Sequence, residues 1–374
     1  MTTRREFLAL GGAAALAAAG PGRLFARPAP HPLRILILGG TSFLGPHQVA
    51  YALGRGHSVS TFTRGRTDPT VHAGVFREVE PLIGDRAHDL EALRGRQWDA
   101  VIDNSGREVE WTRDSAVLLA DQARTYLYTS STGVHYPYLG GGITEESPVS
   151  IDWPPDVASG EDGALDYAVM KARSERAARE AFGADRTIVV RPGYMVGPGD
   201  RTDRFAYWPV RLARGGRVLV PGRADDPVQW IDVRDVAEWM IRLVEREAAG
   251  TYNAVGPASE TGMHRFVHGA QAAFSAPTDF VAVDDHEFLA QHGVRYVVPW
   301  IMPTGNNFGS ARIRPDRAVE HGLAYRPLAD TVRDFHEWWQ SDAVPAERRE
   351  GLVSGPRSLM AREAEILEAW ADRG

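Results

Sequence analysis

Residues 33–45, Leu-Arg-Ile-Leu-Ile-Leu-Gly-Gly-Thr-Ser-Phe-Leu-Gly, limit what this chain can fold into more than any other stretch. The apolar run Leu33–Leu38 reads as a short strand buried on both faces, and glycines follow it at once. Gly39 permits a tight turn, and Gly45 lets the next helix lie close against the strand. The N-terminus of that helix, with its partial positive charge, faces whatever the turn holds. Together Gly39, Gly40, Thr41, Ser42, Phe43, Leu44 and Gly45 make a plausible pyrophosphate-binding turn. Ser42 stands where the usual spacing has its middle glycine, and a plain tight turn is the alternative.

The pattern continues as alternation. Pro46–Gly54 reads as a helix, His57–Thr63 as a second strand, and Trp98–Asp103, Thr125–Thr129 and Arg186–Arg191 as further strands between polar helices. Such alternation predicts an α/β fold, a Rossmann-like, doubly wound parallel sheet. From Gly199 onward Pro, Gly and aromatic residues loosen the pattern, which suggests a smaller, discontinuous C-terminal substrate domain. The expected division is a Pro-rich linker over 27–32 and a dinucleotide-binding domain over 33–198. A mainly substrate-binding domain follows over 199–345, returning to the sheet near 228–256, with a helical tail over 346–374. With 43% hydrophobic residues the chain can bury a large core.

The first 26 residues obey other rules. Arg4 and Arg5 precede an uncharged apolar run, Phe7–Ala19, too short to span a bilayer as a stable helix. Thr-Arg-Arg-Glu-Phe-Leu resembles the twin-arginine export consensus, so residues 1–26 are expected to be a signal peptide, cleaved after Ala19 or Ala26. The implied partner is the twin-arginine machinery, with membrane contact only during export. The expected location is periplasmic or extracellular. Cysteine is absent, as suits a protein folded before export. A net charge of −7 with no basic block argues against nucleic acid as a partner.

Several side chains could carry chemistry. Tyr167 and Lys171 lie four residues apart on a predicted helix and share one face. A nearby ammonium would favour phenolate and lower the tyrosine's pKa. Thr129-Ser130-Ser131-Thr132, at the end of a predicted strand, could supply a hydroxyl to the same substrate oxygen. After the second strand, Thr63 occupies the place where NAD-binding folds carry an acidic residue, and Arg64 and Arg66 stand beside it. This leans to NADP, with two solvated arginines as the plain alternative. His264 and His268 have a zinc-like spacing but no third ligand, so no metal is expected. Asp284-Asp285-His286 reads as a loop. Trp208, Trp230, Trp300 and Phe308 could line a sugar pocket or simply pack, and Trp338-Trp339 and the helix 360–373 read as packing and tail.

With Gly84-Asp85, the run Arg191–Pro198 and Ile231–Val236, these motifs resemble the extended short-chain dehydrogenase/reductases, the NAD(P)-dependent epimerase/dehydratase group, over roughly Leu33 to Leu328. Gly-Gly-Thr-x-Phe-Leu-Gly and the Thr-Arg-Gly after the second strand look most like the atypical branch that includes the chloroplast stem-loop-binding proteins. The resemblance implies Tyr167 as acid/base, with Lys171 lowering its pKa and holding the nicotinamide ribose. It also implies Ser131 as hydroxyl partner and Asp85 near the adenine.

Departures from the family narrow the reaction. Thr132-Gly133 replaces the Asp-Glu pair of sugar-nucleotide dehydratases. Tyr194 and Val228 replace an Asn and an Arg that hold the diphosphate in sugar-nucleotide epimerases. The expectation is a redox-neutral epimerase or isomerase with tightly bound NAD(P), acting by transient hydride transfer. Its substrate would be a carbohydrate or similar hydroxyl-bearing small molecule, not a nucleotide sugar. A net reductase or dehydrogenase, or a non-catalytic binding protein that keeps the fold, remains open, and a homodimer is compatible.

Overall fold

The structure is a computed structural model that describes residues 27–373 apart from 105 and 357, so the expected signal peptide lies outside the described residues. Six strands open the chain, five of them in the expected alternation: β1 (Arg34–Leu38), β2 (Ser58–Thr63), the additional β3 (Glu80–Ile83), β4 (Trp98–Asp103), β5 (Ala123–Thr129) and β6 (Thr187–Pro192). With the strand Gly250–Ala254 they form one parallel sheet in the order β3-β2-β1-β4-β5-β6, the last strand lying outside β6. The order reverses between β1 and β4, and a crevice for ligands opens at the carboxyl ends of strands at such a point.

Each strand serves two cores because successive side chains point to opposite faces. Ile35 and Ile37 pack with Ala100 and Ile102 on the face covered by the helices Leu44–Gly54 and Val233–Glu245. Leu36, Leu38 and Val101 pack with Tyr126 and Tyr128 on the other face, beneath the helices Val109–Leu119 and Gly163–Phe182. Burial on both faces explains why β1 reads as an apolar run without alternation.

Where the boundaries differ from expectation, local chemistry explains why. β1 starts at Arg34, one residue late, because the Leu33 N–H donates to His57 Nδ1 (3.0 Å) instead of joining the ladder. The first helix starts at Leu44, not Pro46. β3 was not anticipated. It is an edge strand containing Pro81, with only Leu82 buried, so it carries almost no apolar signal.

Residues after 196 build a third core around Trp208, Phe266, Trp300, Phe335 and Trp339. Within it the strand Gly216–Pro221 pairs in parallel with Thr278–Val283. The expected tail is docked into this core rather than hanging from it. In the helix Leu359–Ala371, Glu363 is buried, pairs with Arg211, and accepts from Tyr207 Oη (2.9 Å) and the Leu219 N–H (2.8 Å).

Candidate active site

The glycine turn sits at the carboxyl end of β1, where the sheet order reverses. Gly39 has φ +82°, and its N–H donates to the Phe62 carbonyl at 3.0 Å. A Cβ on Gly40 would lie 2.5 Å from Thr61 Cγ2, and one on Gly45 2.5 Å from the backbone of Gly40. Any side chain at these positions would push the turn off the sheet. The helix Leu44–Gly54 begins at Phe43 with no side-chain cap and no acidic residue in its first turn. The Gly45 N–H donates to the Ser42 carbonyl at 3.1 Å and Pro46 has no N–H, so the Leu44 N–H and the positive dipole end are what this helix offers an anion, and the residues present fit a nucleotide pyrophosphate.

Around this turn, Thr41 is half-buried and Ser42 exposed. Thr63 Oγ1 is used up accepting the Gly65 N–H, while Arg64 and Arg66 are exposed at the end of β2. Asp85 closes a turn: its backbone bridges to Asp89 and its carboxylate accepts the Ala87 N–H at 2.9 Å.

At the end of β5 the four consecutive hydroxyls are sorted by their partners. Thr129 donates to Asn104 Oδ1 and Ser130 to Glu175 Oε1, while Thr132 reaches the Pro192 carbonyl. Ser131 differs: its Oγ accepts the Gly133 N–H at 3.0 Å and also reaches the phenol of Tyr167. Gly133 makes room for that phenol, since a Cβ there would lie 3.0 Å from Tyr167 Cε1. The acidic pair of the dehydratases could not be accommodated without moving the tyrosine.

Tyr167 lies on the helix Gly163–Phe182, capped by Asp162, and the residue is 44% exposed. Desolvation of its hydroxyl raises its pKa, and Ser131, then the positive charges of Arg204 and Arg107, pull it back. Lys171, expected to lower that pKa, lies one turn further along the same helix. Its Nζ is 5.9 Å from the Tyr167 ring centre and is buried, donating to the carbonyls of Thr129 (2.9 Å) and Gly106 (3.3 Å). Burial depresses the Lys171 pKa to about 8. Spacing along a helix put the two residues on one face, but the ammonium's donors are turned to the ends of the strands.

Sequence reasoning missed four features. Glu175, one turn beyond Lys171, forms a buried bidentate pair with Arg191 (2.8 Å on both arms). His135 donates from Nδ1 to the Pro148 carbonyl, which leaves Nε2 to accept from Arg191 at 3.3 Å. On the first helix, His47 donates from Nε2 to the Pro198 carbonyl and accepts from His72, and burial holds its pKa at about 3. At the end of β4, Asp103 is fully buried between Arg86 (2.7 and 2.9 Å) and Tyr126 Oη (2.7 Å). The only sequence signal for these pairs was a charged residue at a strand end or on the buried face of a helix.

Residues outside the cleft resolve differently. Asp284 and Asp285 lie in a loop as expected, but His286 does not: Asp285 caps the helix His286–Gln291, and His286 bonds to Asp226 at 2.7 Å, beside Trp300 Nε1. His268 packs edge-on against Phe280, and no metal-holding group of His, Cys, Asp and Glu exists among the described residues. Trp208 and Trp300 are core, whereas Phe308 is 42% exposed.

Comparison with known proteins bears on this arrangement. The chain is 26% identical over 260 residues to the epimerase family protein SDR39U1 of Bos taurus, covering 66% of this chain and 82% of that protein. It is 28% identical over 231 residues to the chloroplast stem-loop binding protein of 41 kDa b of Arabidopsis thaliana, covering 58% of this chain and 56% of that one. Among solved structures, WbmH of Bordetella bronchiseptica in complex with NAD+ superposes with a TM-score of 0.59 at 16% identity, over 84% of this chain and all of that one. Human SDR39U1 with NADPH superposes at 0.54 and 19% identity, over 81% and 99%. At these identities the solved structures establish the fold. The family model described as the NAD dependent epimerase/dehydratase family matches residues 35–255, more than half of the chain, and this chain belongs to that family.

Proposed function

We propose that this chain is an exported, redox-neutral epimerase or isomerase that acts on a carbohydrate or similar hydroxyl-bearing small molecule. The observation that carries the reading is the pairing of Tyr167 with Ser131, open to the cleft at the carboxyl end of β5, while the hydroxyls on either side of Ser131 are spent elsewhere. Gly39 to Gly45 would hold the pyrophosphate of NAD(P), Asp85 its adenine end and Lys171 the nicotinamide ribose. Arg64 would favour a 2′-phosphate. When bound, the nicotinamide supplies an acceptor for hydride that is given back within the same cycle.

Tyr167 takes the proton of the substrate hydroxyl as phenolate and returns it at the end. Its raised pKa suits it to the return step, where it is the acid. Ser131 donates to the substrate oxygen as it becomes a carbonyl. The leader supports redox neutrality: an exported enzyme has no pool of free NAD(P) to recharge from, so a cofactor loaded before export must finish each turnover unchanged.

The test uses purified protein, sugars deuterated at the reacting carbon and no added cofactor. Product that keeps its label, with no net change in reduced-nicotinamide absorbance, is expected. A strict need for stoichiometric NAD(P)H would replace this reading with a net reductase. Mass spectrometry of what the denatured protein releases tells NAD from NADP.

A further inference from the structure

Arg204 stands in the cleft without a counterion. It lies in the loop before the helix Tyr207–Arg214, with its guanidinium over the face of Tyr194, 5.5 Å from the ring centre. Among the described residues no hydrogen bond or ion pair holds it, and its Nε is buried with no partner. Neither acidic group beside it in the chain pairs with it among the described residues. Asp203 is bonded by Arg348 at 2.7 Å, and Asp200 Oδ1 accepts from the Thr202 N–H and hydroxyl while its buried Oδ2 has no partner.

Other shielded arginines behave differently. Arg86 holds Asp103, Arg191 holds Glu175 and Arg211 holds Glu363. Partial desolvation of a guanidinium is costly unless an anion compensates it, so the position points to an anion that is not part of the protein. Arg107, exposed and likewise with no hydrogen bond or ion pair among the described residues, adds a second positive charge. Arg204 packs on Tyr194, two residues beyond the end of β6, and β6 pairs with β5, whose end leads to Ser131, so the anion site lies at the same end of the sheet as the reacting centre; both charges also act on the Tyr167 phenol.

The surroundings suit a small ring. Tyr194 meets Tyr296 edge-on at 5.9 Å, and Tyr136 meets Tyr138 edge-on at 6.0 Å, giving aromatic walls for the C–H face of a sugar. Tyr194 occupies the position where nucleotide-sugar enzymes carry an asparagine toward an extended diphosphate. Here that residue serves as a platform for one planar guanidinium, whose fork matches one compact oxyanion.

We propose that Arg204, assisted by Arg107, determines specificity by binding a carboxylate or phosphate carried by the substrate itself, so that the natural substrate is an acidic or phosphorylated sugar. The proposal rests on Tyr167 marking the reacting centre. It does not depend on whether the reaction is redox-neutral.

The experiment is equilibrium binding by calorimetry to the purified protein bearing Tyr167→Phe, which prevents turnover. The probes are glucuronate, glucose 6-phosphate and glucose. At least one anionic probe is expected to bind about tenfold or more tightly than glucose, with the advantage shrinking as salt is raised. The two anionic probes distinguish carboxylate from phosphate. Arg204→Gln should abolish the advantage, and Arg204→Lys, which keeps charge but loses the fork, should retain only part of it. Equal binding of glucose, an undiminished preference in Arg204→Gln, or no binding of either anion at concentrations on the order of 10 mM overturns the proposal. Because binding is read without catalysis, such a failure leaves the deuterium experiment untouched, and the reverse holds too.

Discussion

Ser130 and Ser131 are neighbours at the end of β5, and Glu175 and Lys171 are one turn apart on the facing helix, yet they belong to two different kinds of site. Ser130, Glu175 and Arg191 close on one another beneath the surface, with both carboxylate oxygens of Glu175 occupied. Ser131 and Tyr167 face the cleft, where Tyr167 is 44% exposed and the buried Nε of Arg204 lacks a partner. The first group is a rivet between β5, β6 and the helix Gly163–Phe182. The second keeps its hydrogen-bonding capacity for something that arrives. Sequence adjacency says nothing about which is which; the direction of each side chain relative to the sheet decides it.

Substitutions can break this contrast. The largest effect is expected at Tyr167: Tyr167→Phe should lower turnover by roughly 10²–10⁴ while leaving thermal stability unchanged, because it removes a proton donor and little packing. Steady-state rates and a melting curve check both halves. A near-normal rate, or a large loss of stability, would merge the two sites. Next is Glu175→Ala, which leaves Arg191 buried without its carboxylate and should cost about 3–5 kcal/mol of folding free energy, on the order of ten degrees in melting temperature. Denaturant titration measures it, and a cost under about 1 kcal/mol would show that the rivet is ornamental.

A smaller effect sharpens the comparison at Lys171, which sits between the two groups. Its folded pKa of about 8 lies below the ordinary lysine value because burial disfavours the ammonium. The unfolded chain therefore binds more protons across the window above about 8, so stability rises with pH there. Activity that needs the ammonium runs the other way and should fall up to tenfold per pH unit above about 8. A pH–rate profile of wild type against Lys171→Met checks this: the variant should start lower and lack the alkaline limb. An identical limb in the variant would assign it to another group.

Much of the fold could be read from pattern because the parallel sheet is periodic. β4 falls on the expected residues, Trp98–Asp103, and the other expected strands of the sheet miss by at most two residues at either end. β3 escaped because an edge strand with Pro81 and a single buried side chain has no periodic signature. In the site, the glycine turn was readable because only glycine fits where a Cβ would meet Thr61 or the turn's own backbone. The relation of Tyr167 to Lys171 was half readable. Helical spacing puts two residues on one face but does not say that one side chain would turn to the Thr129 and Gly106 carbonyls. Arg204 was unreadable, since nothing in an Asp-Arg-Phe stretch tells a partnered arginine from one left open.

By itself the sequence determined the α/β class, the position of the glycine turn and the placing of Tyr167 and Lys171 on one helix. Local physics is enough for these: glycine's missing Cβ, the two periodicities, and an uncapped helix after a buried strand. Only the tertiary structure decided which of four consecutive hydroxyls reaches Tyr167, which charges are spent on each other and which face the cleft. Hydrogen bonds and ion pairs act within about 4 Å in space, and Glu175–Arg191, Arg86–Asp103 and Arg211–Glu363 are brought together from 16, 17 and 152 residues apart.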